Sequence, residues 1–271
     1  MDLGLKDKVV LVSGGGSGIG LGIVESFAAE GAITIILGLT DTEPKRMRDE
    51  LAAKGQFCDF WKLDLREEDA VKRTVQEIMV KYGHIDVVVN NAGVNDAVGL
   101  KQGPSHFVDS LHKNLVHYYT LVHYTVEHLI ESRGNIINIG SKAGITGQGG
   151  TSGYAAAKGA INGLTREWAL DLAEHGIRSN CIIPAECITP LYEKWLESTP
   201  DPKLTLTRIN DTVPLGKRTT SVRELADAVV FVASSRSSHT TGQILHVDGG
   251  YVKLDRAYTM DTPHLKTSFE D

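Results

Sequence analysis

The chain has 271 residues, 41% of them hydrophobic, and 34 acidic against 28 basic side chains give a formal net charge of −6. That length suits one large domain, residues 1–271, with a substantial core, and the acidic balance without a basic run argues against a nucleic-acid partner. No apolar stretch is long enough to span a bilayer, and Met1 to Lys8 lacks a signal-like apolar segment, so no membrane partner and a cytoplasmic location are expected.

In chain order, Val9-Val10-Leu11-Val12 reads as a buried strand, and Ser13-Gly14-Gly15-Gly16-Ser17-Gly18-Ile19-Gly20 follows at once. A helix then starts, with Ile19, Ile23, Phe27 and Ala28 at helical spacing and Gly31 closing it. A strand, a glycine-rich turn and a helix N-terminus cradle a diphosphate, because backbone N–H groups and the helix dipole face the anion. The same spacing by itself also fits a flexible glycine loop. Further strands are expected near 32–38, 56–63, 85–90, 134–140, 177–183 and 243–247, with helical stretches between them. Alternation of this kind implies an α/β fold, a doubly wound parallel sheet with helices on both faces and right-handed crossovers.

Asn90-Asn91-Ala92-Gly93 closes the 85–90 strand with small and amide residues, which suit a ligand crevice at a strand's carboxyl end. A long helix is expected from Ser105 to Glu131. Asn114 lies in its middle, either on a solvated face or bonded to backbone at a kink. His112, His117, His123 and His128 on that helix do not keep one face, so they read as surface or interface residues and not as metal ligands. Cys58, Cys181 and Cys187 lack metal-ligand spacing and read as buried reduced thiols; no metal site is expected. Ser141 ends the 134–140 strand, either as a turn residue or as a donor to a substrate oxygen.

Tyr154 and Lys158 then stand at i and i+4, on one face of a helix. A half-buried tyrosine beside a solvated lysine has this spacing, and so does a phenol whose proton affinity is lowered by a fixed ammonium, which makes a base for a substrate hydroxyl. From Pro184 to Pro214 the pattern is least regular and is expected to fold over the cofactor as a mobile lid. The tail after Tyr251 is polar.

The ordered set Ser13-Gly14-x-x-x-Gly18-Ile19-Gly20, Asn90-Asn91-Ala92-Gly93, Asn114, Ser141, Tyr154 and Lys158 resembles the short-chain dehydrogenase/reductase family over nearly the whole chain. The resemblance implies a single-domain, seven-stranded Rossmann fold with strand order 3-2-1-4-5-6-7 and a homotetramer built through the long helices and the C-terminal strand region. It implies a catalytic tetrad of Asn114, Ser141, Tyr154 and Lys158. It also implies a dinucleotide held by Ser13, Gly14, Ser17, Gly18, Ile19, Gly20, Asp64, Leu65, Asn91, Ala92, Gly93, Tyr154, Lys158, Pro184, Ile188 and Thr189. In the tetrad Ser141 would polarise the substrate oxygen, Tyr154 exchange its proton, Lys158 lower the tyrosine pKa and hold the nicotinamide ribose, and Asn114 support a proton relay.

In the family, an acid at the end of the second strand selects NAD and a basic residue beside it selects NADP. Here these positions carry Gly38 and Leu39, and Asp41 is the nearest acid. NAD is expected as the cofactor with NADP possible, because Asp41 would repel a phosphate. Where the family commonly has Pro-Gly, this chain has Pro184-Ala185-Glu186. Glu186 is either a solvated loop acid or a pocket carboxylate. With Asn95, Gln148, Tyr192 and Trp195, besides Ser141 and Tyr154, it would suit a polyhydroxylated ligand, whose buried hydroxyls each need a partner.

Finer stretches, among them Thr146-Gly147-Gln148-Gly149, Thr189-Pro190-Leu191-Tyr192 and Val247-Asp248-Gly249-Gly250-Tyr251, resemble the bacterial L-fucose dehydrogenases of the family. That resemblance implies oxidation of L-fucose or a related aldose at its anomeric carbon to a lactone. Two other readings stay open: a short-chain oxidoreductase for another alcohol or ketone of 3-oxoacyl, polyol or steroid type, and a non-catalytic dinucleotide sensor.

Overall fold

In the computed structural model, which describes residues 2–255, seven parallel strands form one sheet in the order β3-β2-β1-β4-β5-β6-β7. They are β1 Val9–Ser13, β2 Ile33–Gly38, β3 Phe57–Lys62, β4 Val87–Asn90, β5 Asn135–Ile139, β6 Arg178–Pro184 and β7 Ile244–Val247. Helices α1 Gly18–Ala29, α2 Thr42–Ala52, α3 Glu68–Tyr82, α4 Pro104–Leu111, α5 His117–Ser132, α6 Ser152–Asp171, α7 Pro190–Glu197, α8 Pro202–Asp211 and α9 Val222–Ala233 connect or flank them. The order reverses between β1 and β4, and that switch point opens the crevice into which the carboxyl ends of the strands point.

Strand periodicity builds the two layers. Val10 and Val12 of β1 pack with Ile23, Phe27 and Val229 from α1 and α9, while Val9 and Leu11 face the opposite side, toward Val75, Ile78, Leu121 and Ile161 from α3, α5 and α6. Because both faces are covered, β1 is buried along its full length, which is why it reads as a continuous apolar run. Helices α1 and α9 approach closely at Gly22, where a Cβ would lie 2.2 Å from Val222 Cγ1. Asp86 ties the amino end of the sheet together: its carboxylate accepts from Lys8 Nζ and from the Val9 amide, each at 2.8 Å.

Two expected elements differ. The helix expected from Ser105 to Glu131 is two helices joined by a π-helical turn, His112–Val116, with Asn114 buried inside it. The Asn114 side chain is the reason: its Nδ2 donates to the Ser110 carbonyl one turn back (3.0 Å), and its Oδ1 accepts from the Val94 amide (2.7 Å). The segment from Pro184 to Pro214 is more regular than its prolines suggest. Pro190 and Pro202 occupy first helical turns, where a missing N–H costs nothing, and Thr189 and Asp201 cap α7 and α8. The three cysteines are free and buried. Most of the tail after Tyr251 lies outside the described residues.

Candidate functional site

At the carboxyl end of β1 the chain turns through Gly14, at φ +65°, and enters α1 at Gly18. A Cβ on Gly14 would lie 2.9 Å from Ala92 Cα, and one on Gly20 only 2.2 Å from the Gly14 carbonyl oxygen, so the turn exists in this form because these positions carry no side chain. Asn91 pins it from β4, its Nδ2 donating to the carbonyls of Ser13 (3.0 Å) and Gly14 (3.2 Å). Ser17, the N-cap of α1, makes no side-chain cap bond, so the first amides of α1 face the crevice. Thr189 closes the other side, its Cβ 3.2 Å from where a Gly18 Cβ would stand. This concave frame of amides at a helix N-terminus fits the diphosphate of a dinucleotide, whose nicotinamide end would extend toward Gly93 and Lys158.

Not every residue expected to hold the cofactor reaches that frame. Ser13 is fully buried, with its Oγ accepting from the amides of Asn91 (2.9 Å) and Ala92 (3.1 Å); it shapes the crevice without lining it. The Leu65 side chain is buried in the core. Asp64 forms a forked pair with Arg66 (2.6 Å at the shortest), which holds its carboxyl below the ordinary range. Pro184 is buried at the end of β6, while Ile188 and Thr189 line the turn beside Gly16, Ser17 and Gly18.

The four residues of the expected tetrad converge from β5, the π-helical turn and α6. Helix α6 comes within backbone contact of the turn after Ser141, because a Cβ on Gly144 would lie 2.6 Å from the Lys158 carbonyl group. A chain of buried amides ties α6 to the sheet: Asn90 Nδ2 donates to Asn138 Oδ1 (2.9 Å), and Asn138 Nδ2 donates to Thr165 Oγ1 (3.0 Å). Sequence reading missed Asn138 and Thr165, whose only signal was polarity within apolar patterns. Ser141 Oγ accepts from the Ala143 amide (3.2 Å) and stands beside the Tyr154 hydroxyl. Burial raises the Tyr154 phenol above its ordinary pKa, and the Ser141 hydroxyl works against that rise.

Lys158 is 3% exposed, and burial pulls its ammonium down to about 8. Its Nζ donates to the Ile139 carbonyl (2.8 Å) and to Tyr118 Oη (3.1 Å), and it lies 5.7 Å from the centre of the Tyr154 ring. The expected lowering of the tyrosine pKa by Lys158 is therefore not the dominant influence in this geometry, since burial outweighs it and the ammonium is directed elsewhere. His117, expected at the surface or an interface, is buried beneath the site, with Nε2 2.9 Å from the Lys113 carbonyl, and desolvation pulls its imidazole down to about 4. His123 is exposed. Among the described residues no group of three or more His, Cys, Asp or Glu side chains is placed to hold a metal ion.

On the outer side of the crevice Glu186 is no solvated loop acid. Its carboxylate is ion-paired to Lys142, the residue after Ser141, and the two side chains are only 13% and 14% exposed. Lys142 Nζ also sits 4.3 Å from the centre of the Tyr251 ring. Tyr192 lies against the Glu186 charge, which together with burial pushes its phenol upward, and its buried hydroxyl makes no hydrogen bond of good geometry. Tyr192 and Trp195 pack edge to face at 5.2 Å. Asn95 and Gln148 are both exposed. Lys142 and Tyr251 were not expected here, because a lysine after a strand-end serine and a C-terminal tyrosine carry no local pattern.

At the adenosine end Gly38 has open space where a side chain would stand, and Leu39 is 62% exposed. Asp41 is paired with Lys45 (2.8 Å) and faces Lys62 (3.8 Å); the Lys45 bond holds its carboxyl below the ordinary range. Its charge is thus largely offset, which weakens the repulsion of a phosphate expected from the sequence. Among the described residues no helix is long and apolar enough to cross a membrane.

A family model described as enoyl-(acyl carrier protein) reductase matches residues 14–252. L-Fucose dehydrogenase of Bos taurus is 39% identical over 90% of this chain and 88% of its own length. The 3-oxoacyl-[acyl-carrier-protein] reductase of Thermotoga maritima is 34% identical over 92% of this chain and 99% of its own. Among solved structures, that of Cj0485 dehydrogenase is 43% identical with a TM-score of 0.89, covering 95% of this chain and 98% of that one. The aldohexose dehydrogenase of Thermoplasma acidophilum is 32% identical with a TM-score of 0.85, covering 94% of this chain and 97% of that one.

Proposed function

The chain belongs to the short-chain dehydrogenase/reductase family and is an NAD(P)-dependent oxidoreductase of CH–OH groups, and we propose that it oxidises a sugar, L-fucose or a related aldose, at the anomeric carbon to a lactone. The observation that carries the sugar reading is the largely buried Lys142–Glu186 pair beside Ser141, walled by Tyr192 and Tyr251. A charged pair at 13–14% exposure offers both donors and acceptors to a ring of hydroxyls, and aromatic faces suit a sugar's C–H surface. An acyl chain or steroid would leave the same pair desolvated without new partners, at a cost in binding. Bovine L-fucose dehydrogenase and the Thermoplasma aldohexose dehydrogenase support the sugar class, whereas the Thermotoga reductase favours a 3-oxoacyl substrate as the second reading.

In the proposed reaction the Ser141 hydroxyl donates to the substrate oxygen and Tyr154 Oη takes its proton. A nicotinamide held by the glycine turn, Thr189 and Lys158 would supply the hydride acceptor for the carbon that bears that oxygen. The Lys158 ammonium, 5.7 Å from the centre of the Tyr154 ring, would favour the phenolate at longer range without outweighing burial and would hold the ribose of a bound dinucleotide, while Asn114 holds the Val94 backbone that borders the cleft. Because burial favours the protonated Tyr154 phenol, the site stands ready as an acid for reduction, and oxidation requires the phenol to release its proton first. NAD is favoured because Asp41 is the acid nearest the adenosine end, with NADP admitted in proportion to how far Lys45 and Lys62 offset it. A homotetramer is part of the same reading, supported by apolar side chains on and beside the long helices, Val108 at 50%, Val116 at 38% and Tyr119 at 55% exposure.

The test is a panel of aldoses, polyols, 3-hydroxyacyl thioesters and hydrophobic secondary alcohols, each with NAD and with NADP, following reduced nicotinamide absorbance. Fastest turnover on an aldose, with a lactone as product, is expected. Preference for the thioester would replace the sugar reading with the acyl one. Dinucleotide binding without turnover of any alcohol would leave a sensor.

A further inference from the structure

Beneath the crevice lies a tyrosine to which neither the sequence motifs nor the proposed mechanism gives a role. Tyr118, on the first turn of α5, is fully buried. Its hydroxyl donates to the Ile139 carbonyl at 3.1 Å and accepts from Lys158 Nζ at 3.1 Å, and Nζ also donates to the same carbonyl at 2.8 Å. A buried phenol needs one acceptor, which the carbonyl supplies. The contact with Lys158 is additional, and it matters to the ammonium. An ammonium has three hydrogens and no acceptor capacity of its own. Two are directed downward, at Ile139 and Tyr118, which leaves the third for the cleft. On the cleft side Gly93 keeps the approach open, since a Cβ there would lie 3.7 Å from Nζ.

We propose that Tyr118 is a positioning residue of this enzyme: its hydroxyl, shared between the Ile139 carbonyl and Lys158, aims the ammonium at the cleft and keeps it charged in a dry site. The inference rests on the reading that Lys158 serves Tyr154 and the nicotinamide ribose. Loss of the Tyr118 hydroxyl leaves Nζ with one fixed acceptor, so the charged form is less favoured and its direction less constrained. The titratable groups facing Lys158 are few. From its own helix there is Tyr154; from α5, Tyr118 and His117; from β6, Cys181. Desolvation pulls His117 down to about 4, Lys158 down to about 8, and pushes Cys181 up to about 12, so of these three groups only Lys158 changes charge between the outer two values.

The experiment compares the native enzyme with Tyr118→Phe and Tyr154→Phe by two readouts across pH. The first is the affinity for reduced dinucleotide, from nicotinamide fluorescence. The second is kcat for the alcohol oxidised fastest in the panel above. In Tyr118→Phe the alkaline limb of both profiles should move down by about one pH unit, with kcat about tenfold lower at the native optimum and the KM for the alcohol within about twofold. Limb positions do not depend on the fraction of protein that folds, so a less stable variant still gives the answer. Profiles that superimpose on the native ones, with kcat within about twofold, would overturn the role. If Tyr154→Phe itself keeps native turnover, the base assignment has failed, and the binding profile alone then decides: a downward shift supports Tyr118 as the positioner of Lys158, and no shift overturns it.

Discussion

Replacing Glu186 with glutamine is the sharpest test of the sugar reading, because it keeps size and shape and changes only charge. The backbone there is held independently of the side chain: the Thr220 amide donates to the Glu186 carbonyl at 2.9 Å, and Cys187 bridges to Thr220 as an isolated β pairing. The substituted side chain should therefore stay where the Glu186 carboxylate is. Lys142 loses its ion-pair partner and retains the Tyr251 ring, 4.3 Å from its Nζ. Hydrogen bonds to charged groups contribute about 1.5–3 kcal/mol. At 13–14% exposure some solvent screening acts on the pair, so about 1.4–2.7 kcal/mol is a reasonable range for the lost transition-state stabilisation. That corresponds to a fall in kcat/KM for the aldose of about ten- to a hundredfold, while a hydrophobic secondary alcohol should lose less than about threefold. Stability should fall by about 1 kcal/mol, or about 2–4 °C in Tm, since the unpaired ammonium is not fully buried. Lys142→Met should mimic the kinetic effect, and the double variant should lose little more than the worse single one, because both remove one pair. The assay is steady-state dinucleotide reduction with both substrates, beside a thermal melt. Equal losses for both substrates, or none for the aldose, would return Glu186 to a structural role and refute the reasoning.

Tyr154→Phe should bind dinucleotide with native affinity by fluorescence titration, yet lower kcat by about a hundred- to ten-thousandfold, and near-native turnover would exclude Tyr154 as the proton acceptor. Asp41→Ala should raise the NADP-to-NAD ratio of kcat/KM by about two- to fivefold by freeing Lys45 and Lys62, and an unchanged ratio would place cofactor selection elsewhere. Lys158→Met should abolish turnover and still stabilise the fold at neutral pH, because the native ammonium is buried with its pKa lowered to about 8 from 10.5. The unfolded lysine holds its proton up to the higher value and the folded one releases it at the lower. The penalty, on the order of 3 kcal/mol before the lost hydrogen bonds are subtracted, is thus full below about pH 8 and gone by about 10.5. Denaturant melts of both proteins at several pH values would show the advantage shrinking through that window, and an advantage independent of pH would contradict it.

Much of this was legible in the chain itself, wherever a property is set by neighbours in sequence. A buried parallel strand must be apolar on both faces, so β1 and β4 announce themselves as runs of valine and leucine. The turn from β1 into α1 needs glycine at Gly14 and Gly20 to avoid its own backbone, and the i, i+4 pairing of Tyr154 with Lys158 is a fixed property of one helix. The sequence-level resemblance also reached the strand order and the family. What only the tertiary structure decided were pairings between distant segments. Glu186 and Lys142 are 44 positions apart and meet because β5 and β6 are adjacent, which turned an ambiguous loop acid into half of a buried pair. Tyr118 and Lys158 are 40 apart, and nothing in an apolar helix pattern distinguishes a core tyrosine from one that holds an ammonium. Burial also decided protonation: Tyr154 stands above its ordinary pKa and Lys158 below, because desolvation depends on the whole shell around a group, which no local stretch of sequence encodes.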